Sequence, residues 1–165
     1  MLKRVALALL LLSVLGMSCT SSATPIVGAP APSFELFDLN NQAVRLSDYL
    51  GRPVIINFWG TNCGYCLEEM PILEAFFREE QAKTDGVALL AINMQDTLTT
   101  ARAFMSYNNY TMPVLMDTGG RAASAYNVYA IPVTFLVDRT GIIRHIKLGM
   151  FSGLNELNAV LDTVR

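Results

Sequence analysis

Residues 54–58, Val54-Ile55-Ile56-Asn57-Phe58, form a nearly continuous apolar run after Pro53. A half-exposed strand alternates apolar and polar residues, so an unbroken run of this length fits a strand buried on both faces. A few residues on stands Cys63-Gly64-Tyr65-Cys66, and an apolar stripe at helical spacing follows: Leu67, Met70, Leu73, Phe76 and Phe77. A buried strand running straight into a helix, with two cysteines at the junction, constrains this chain more than any other feature. The helix is predicted over residues 65–83, with a kink at Pro71.

Strands and helices alternate through the rest of the chain. Short strands are predicted at 34–39 and 43–46 around the Asn40-Asn41 turn, then a helical turn from Ser47, its N-cap, through Leu50. A second buried strand is read at 87–93, a helix at 97–108 and a short strand at 114–116. A short helix at 121–126 precedes two strands at 133–137 and 142–148, joined by the turn Asp138-Arg139-Thr140-Gly141. A helix at 155–164 closes the chain. This order implies an α/β domain, a central sheet with helices on both faces.

The first residues read as an address. Lys3 and Arg4 precede an apolar run from Val5 to Leu15, broken only by Ser13. Such a run is too short for a spanning helix, which needs about 20 residues, and fits the core of a signal peptide. Residues 1–18 are therefore expected to be a signal peptide and 19–32, rich in Ser, Thr, Ala, Pro and Gly, a flexible tether. Residues 33–165 are the domain. Leu15-Gly16-Met17-Ser18-Cys19 resembles the lipobox of bacterial lipoproteins, with Gly16 where leucine is usual. That resemblance makes Cys19 a candidate lipid anchor, with ordinary cleavage after Ser18 or Ala23 as the alternative. Either route places the domain outside the cytoplasm.

Composition excludes several classes of function. The chain has 165 residues, 52% hydrophobic and 16% charged, with a formal net charge of −2. It lacks the basic footprint of a nucleic-acid binder, and its apolar content excludes wholesale disorder. Three cysteines and one histidine leave few ways to assemble a zinc site of about four ligands. His145 lies in a predicted strand and reads as a surface residue. A structural disulfide at Cys63 and Cys66 would close too small a ring to constrain much chain entropy. A peroxidatic cysteine would carry a threonine three residues earlier, where this chain has Gly60. There remains a dithiol redox pair. Residues three apart in a first helical turn lie on one side, and the positive end of the helix favours a thiolate at Cys63. Cys66, one turn in, is expected to be more buried.

In these motifs the chain resembles the thioredoxin superfamily and, within it, the TlpA/ResA-type extracytoplasmic thiol-disulfide oxidoreductases with a redoxin, or AhpC/TSA-like, domain. The similarity runs from about Pro32 to the C-terminus. It rests on Pro32-Ser33-Phe34, Leu46-Ser47-Asp48, Asn57-Phe58-Trp59-Gly60-Thr61, the C-x-x-C, Glu69-Met70-Pro71 and the stretch from Ile131 to Asp138. The resemblance implies a thioredoxin-like fold, a central mixed sheet flanked by helices with an N-terminal β-hairpin extension. It implies that Pro132 is a cis-proline facing the cysteines. It also implies that the backbone of Ile131 pairs with an incoming chain, and that Cys63 and Cys66 are catalytic. Trp59 is expected to wall the disulfide. Gly64 and Tyr65 join Trp59, Ile131 and Pro132 as the residues that meet a substrate.

Two departures matter. Asn57 stands where cytoplasmic thioredoxins carry a buried aspartate, so Glu69, three residues beyond Cys66, is the candidate to help deprotonate Cys66. Gly64-Tyr65 is similar to the dipeptide of periplasmic disulfide isomerases and leaves the direction of electron flow open. The expected function is reduction of disulfides in exported proteins, such as apocytochrome c. A disulfide oxidase or isomerase and a non-enzymatic redox-sensing module are the alternatives. Expected partners are disulfide or thiol proteins, a membrane thiol donor and the membrane through the N-terminal anchor, but no nucleic acid. No cofactor and no metal are expected.

Overall fold

The computed structural model describes residues 25–94, 96–162 and 164. The expected signal peptide and Cys19 lie outside the described residues. Seven strands form one sheet: β1 (Glu35–Asp38), β2 (Ala43–Arg45), β3 (Val54–Trp59), β4 (Ala88–Asn93), β5 (Val114–Met116), β6 (Val133–Val137) and β7 (Ile143–Leu148). Among the described residues four α-helices connect or follow them: α1 (Gly64–Gln81), α2 (Leu98–Tyr107), α3 (Arg121–Ala125) and α4 (Leu154–Leu161). The strand order is β2-β1-β5-β4-β3-β6-β7. β3, β4 and β5 are parallel neighbours, and the remaining pairs are antiparallel. The architecture is the mixed, helix-flanked sheet expected from sequence, and the N-terminal hairpin extends it through β1 against β5.

β3 and β4 are buried along their whole length, which is why both read as apolar runs instead of alternating. Alternate side chains of β3 serve two cores. Ile55 and Trp59 join Met70, Leu73 and Phe76 of α1, Ala101 and Met105 of α2, and Leu157 and Leu161 of α4. Val54, Ile56 and Phe58 face the opposite side with Ala122, Ala123, Tyr126 and Phe135. Asn57 lies between Ile55 and Trp59 in the period-two pattern, so its amide enters the α1 side.

The structure corrects several local expectations. Leu67, placed in the core stripe of α1, is 37% exposed, while Glu69, Glu74 and Glu80 are buried. The glutamates satisfy backbone that a leucine could not: Glu74 accepts from the Thr111 and Met112 amides at 2.8 and 3.0 Å, and Glu80 from that of Val87 at 2.7 Å. The turn after β2 is a 3-10 helix, Leu46–Tyr49, capped at Arg45 instead of Ser47. Asp48 is the reason, since its carboxylate accepts from the Arg45 amide at 2.9 Å. Pro71 lies inside α1 without ending it.

The flexible tether expected at 19–32 does not extend through residues 28–31. The Gly28 amide donates to Ile143 O at 2.8 Å, Ile143 N donates to Ala29 O at 3.0 Å, and Ala31 N donates to Gly141 O at 2.9 Å. Gly28 has φ +89°, a conformation that glycine adopts without strain. The segment turns there and runs antiparallel beside the start of β7. Polar composition hid this pairing, because the bonds are made by backbone. Among the described residues no helix is long and apolar enough to cross a membrane.

Candidate active site

The end of β3 delivers the chain to α1 through Gly60, Thr61 and Asn62. Cys63 is the N-cap of α1: its carbonyl accepts from Leu67 N at 3.0 Å, and its Sγ accepts from Cys66 N at 3.2 Å. Four amides at a helix start have no partner within the helix, and here a sulfur takes one of them. The same contact and the positive end of the helix stabilise negative charge on that sulfur. Cys63 and Cys66 are joined as a disulfide, with Cα atoms 5.2 Å apart. Cys63 is half-buried and Cys66 only 1% exposed. One sulfur therefore reaches the surface and the other is reached only through it.

The loop before β6 faces this pair. The Ile131–Pro132 bond is cis, and the Ile131 carbonyl oxygen lies 3.5 Å from Cys63 Sγ. Pro132 is buried and Ile131 half-buried. Gly64 is exposed, and Tyr65 is 67% exposed at the rim. Trp59 differs from expectation in one respect. It is wholly buried, sharing a core with Cys66 and packed 5.4 Å, ring to ring, from Phe104. It backs the disulfide from within and offers a substrate no surface.

One turn beyond Cys66 on α1, Glu69 joins a buried polar cluster. Glu69, with no exposed surface, accepts from the Phe151 amide at 2.8 Å through Oε1 and from Asn57 Nδ2 at 3.0 Å through Oε2. Asn57 Nδ2 also donates to Thr134 Oγ1 at 2.9 Å, across the β3–β6 register that pairs the two residues. Burial pushes the Glu69 carboxyl above its ordinary value of 4.5, and the Phe151 amide, the Asn57 amide and Lys147 only partly offset this. Phe151 is held in turn. Lys147 Nζ lies 5.7 Å from its ring centroid and 2.5 Å from Glu156 Oε1, while Glu156 Oε2 accepts from Ser152 N at 2.8 Å.

A second cluster fixes the loop that presents Cys63. Asp96 accepts from Thr61 N at 2.9 Å, from Thr61 Oγ1 at 2.5 Å and from Asn93 Nδ2 at 2.5 Å. Sequence reasoning missed Asp96, Thr134 and Phe151. Asp96 sits in a connection with no periodic signal, Thr134 reads as one polar residue in a strand, and Phe151 contributes only its amide. Among the described residues no group of three His, Cys, Asp or Glu is placed to hold a metal.

The chain is similar to known thiol-disulfide oxidoreductases. Residues 27–146 match the AhpC/TSA family. The chain is 36% identical over 151 residues to the thiol-disulfide oxidoreductase ResA of Geobacillus kaustophilus, covering 88% of this chain and 86% of that one. It is 34% identical to the Bacillus subtilis protein of the same name, over 74% and 67% of the two chains. Among solved structures, a secreted thiol-disulfide isomerase of Corynebacterium glutamicum superposes with a TM-score of 0.73 at 25% identity, covering 82% and 85%. StoA of Bacillus subtilis superposes at 0.68 and 22% identity, covering 79% and 96%, and so speaks to the fold.

Proposed function

This chain belongs to the AhpC/TSA family and, within the thioredoxin superfamily, to the ResA-type thiol-disulfide oxidoreductases, and on that footing we propose that it reduces disulfides of exported proteins, apocytochrome c among them. The observation that carries the proposal is the half-buried sulfur of Cys63 at the cap of α1, in disulfide contact with a buried Cys66 and facing the Ile131 carbonyl.

The cycle starts from the dithiol. The Cys63 thiolate attacks one sulfur of the substrate disulfide, forming a mixed disulfide and releasing the first substrate thiolate. Cys66, deprotonated, then attacks Cys63 Sγ. The mixed disulfide breaks, the second substrate thiolate leaves, and Cys63–Cys66 closes. Two electrons have passed to the substrate, and a membrane thiol donor returns them. The extended substrate lies against the Ile131 backbone beside Pro132, in β fashion, with Gly64 and Tyr65 as the rim it crosses. Glu69 takes the Cys66 proton, directly or through one water. Glu69 stands one helical turn beyond Cys66, and burial raises the proton affinity of its carboxyl.

The domain works outside the cytoplasm, delivered by the signal at 1–18 and held to the membrane through Cys19. Intact mass of the membrane-bound protein tests the anchor: acyl mass on a chain beginning at Cys19 is expected, and its absence removes the anchor from the proposal.

A redox titration against glutathione, with insulin reduction as the activity readout, tests the reaction. Turnover with a strongly reducing potential, near the −270 mV of thioredoxin or below it, is expected. Gly64-Tyr65 between the cysteines favours a second reading, an isomerase. A potential near −180 mV, as in protein disulfide isomerase, would decide for it.

A further inference from the structure

Asn57 is wholly buried, and its two amide atoms are treated unequally. Nδ2 donates twice, to Glu69 Oε2 and to Thr134 Oγ1. Oδ1 is buried with no partner among the described residues. A buried carbonyl oxygen without a donor is unfavourable, and native structures rarely keep one without a reason.

The reason lies in what Glu69 becomes on protonation. The ionised carboxylate only accepts, so the donors Nδ2 and Phe151 N suit it. The protonated carboxyl carries an O–H that needs an acceptor. Oε1 is taken by the Phe151 amide, so the proton falls on Oε2, where it meets the donor Nδ2. The two ends of the amide are nearly identical in shape, so a half-turn about the side chain's terminal bond exchanges them; Nδ2 then takes the buried place of Oδ1, and the turned amide is favoured only while the Glu69 O–H and the Thr134 hydroxyl both donate to Oδ1. Oδ1 then stands where Nδ2 stood, 3.0 Å from Glu69 Oε2 and 2.9 Å from Thr134 Oγ1. It accepts the Glu69 O–H and the Thr134 hydroxyl, which turns from acceptor to donor.

We propose that Asn57 is a positioning residue whose amide turns over with the Glu69 proton, so that Glu69 is fully hydrogen-bonded in both protonation states. A proton taken from Cys66 rests on Glu69 Oε2 against Asn57 Oδ1. Its departure restores the Nδ2 contact, and no atom is gained or lost. The use of this turn in the redox cycle rests on the reading of Glu69 as the proton acceptor for Cys66. The charged groups acting on Glu69 are Lys147 of β7 and Glu156 of α4, which oppose each other. Glu156 is held at about 2 by Lys147 and Ser152, so its own titration lies well below that of Glu69.

The test is NMR of the full chain in dithiothreitol, following the Asn57 side-chain amide and the Glu69 carboxyl carbon through pH. The Asn57 signals are expected to move with the midpoint of Glu69 and to lose that titration in Glu69→Gln. Asn57→Leu removes the donor to the carboxylate and is expected to raise the Glu69 midpoint by about one to two pH units. If that variant does not fold, the wild-type titration alone decides. Asn57 signals that stay flat while Glu69 titrates would overturn the amide turn and leave the role of Glu69 standing. A pH profile of Cys66 alkylation unchanged in Glu69→Gln would instead remove Glu69 as the acceptor, and the turn would lose its use in the cycle.

Discussion

At Cys63 one side chain both ends a helix and reaches the surface, and this duality sets the first prediction. Serine keeps the cap, since its hydroxyl is among the preferred N-cap groups, but has no nucleophilic sulfur. Cys63→Ser is expected to fold normally and lose all turnover in the insulin assay. Cys66→Ser keeps the attacking sulfur and loses the resolving one, so it should accumulate mixed disulfides visible on non-reducing gels. Glu69 carries the second prediction. Its folded-state pKa is raised by burial, so the neutral acid is the form the fold prefers. Its contribution to stability is fully present below the ordinary 4.5 and is lost as pH rises through the raised value. Urea denaturation across that range should show the wild type weakening relative to Glu69→Gln, with no further divergence above it. A constant difference between the two proteins at every pH would contradict the raised pKa.

At the scale of elements, the turn between β6 and β7 depends on Asp138. Its carboxylate accepts from Thr140 N at 2.8 Å, Thr140 Oγ1 at 2.7 Å, Ile142 N at 3.0 Å and Arg144 Nε at 2.6 Å. Burial would raise this acid, but those four donors outweigh it and hold the pKa at about 2. A depressed pKa stabilises the fold above the ordinary 3.8 and ceases to do so as pH falls through about 2. Asp138→Ala is expected to cost about 2 kcal/mol at neutral pH, with the gap between variant and wild type closing toward pH 2 in thermal unfolding. The turn itself was legible from Asp138-Arg139-Thr140-Gly141, because its side chain satisfies amides two and four residues away. The polar face of α1 was less legible. Glu74 and Glu80 read in the sequence like any solvated helix glutamates, and only the loops they meet, at Thr111, Met112 and Val87, explain their burial.

For the whole molecule, residues 28–31 tie the N-terminal end of the domain to the edge of its sheet. A chain beginning at Pro32 loses three backbone hydrogen bonds at Gly141 and Ile143, while Tyr126 keeps its bond to the Pro32 carbonyl at 2.8 Å. The expected loss is about 3 kcal/mol in denaturant titration. The reduction potential should not change, since none of these atoms adjoins the cysteines. A shifted potential would show that the strap reaches the active site.

The strand-to-helix junction, the order of elements and the redox pair were written in the chain, because periodicity and three-residue spacing act over a few neighbours. What stands behind the pair was decided by tertiary structure. Asn57 and Thr134 are 77 positions apart, and Glu69 and Phe151 are 82; only the β3–β6 register and the return of the chain after β7 bring them together. A backbone amide such as that of Phe151 leaves no mark on residue type, and a glutamate in a helix looks the same whether water or a buried amide receives it.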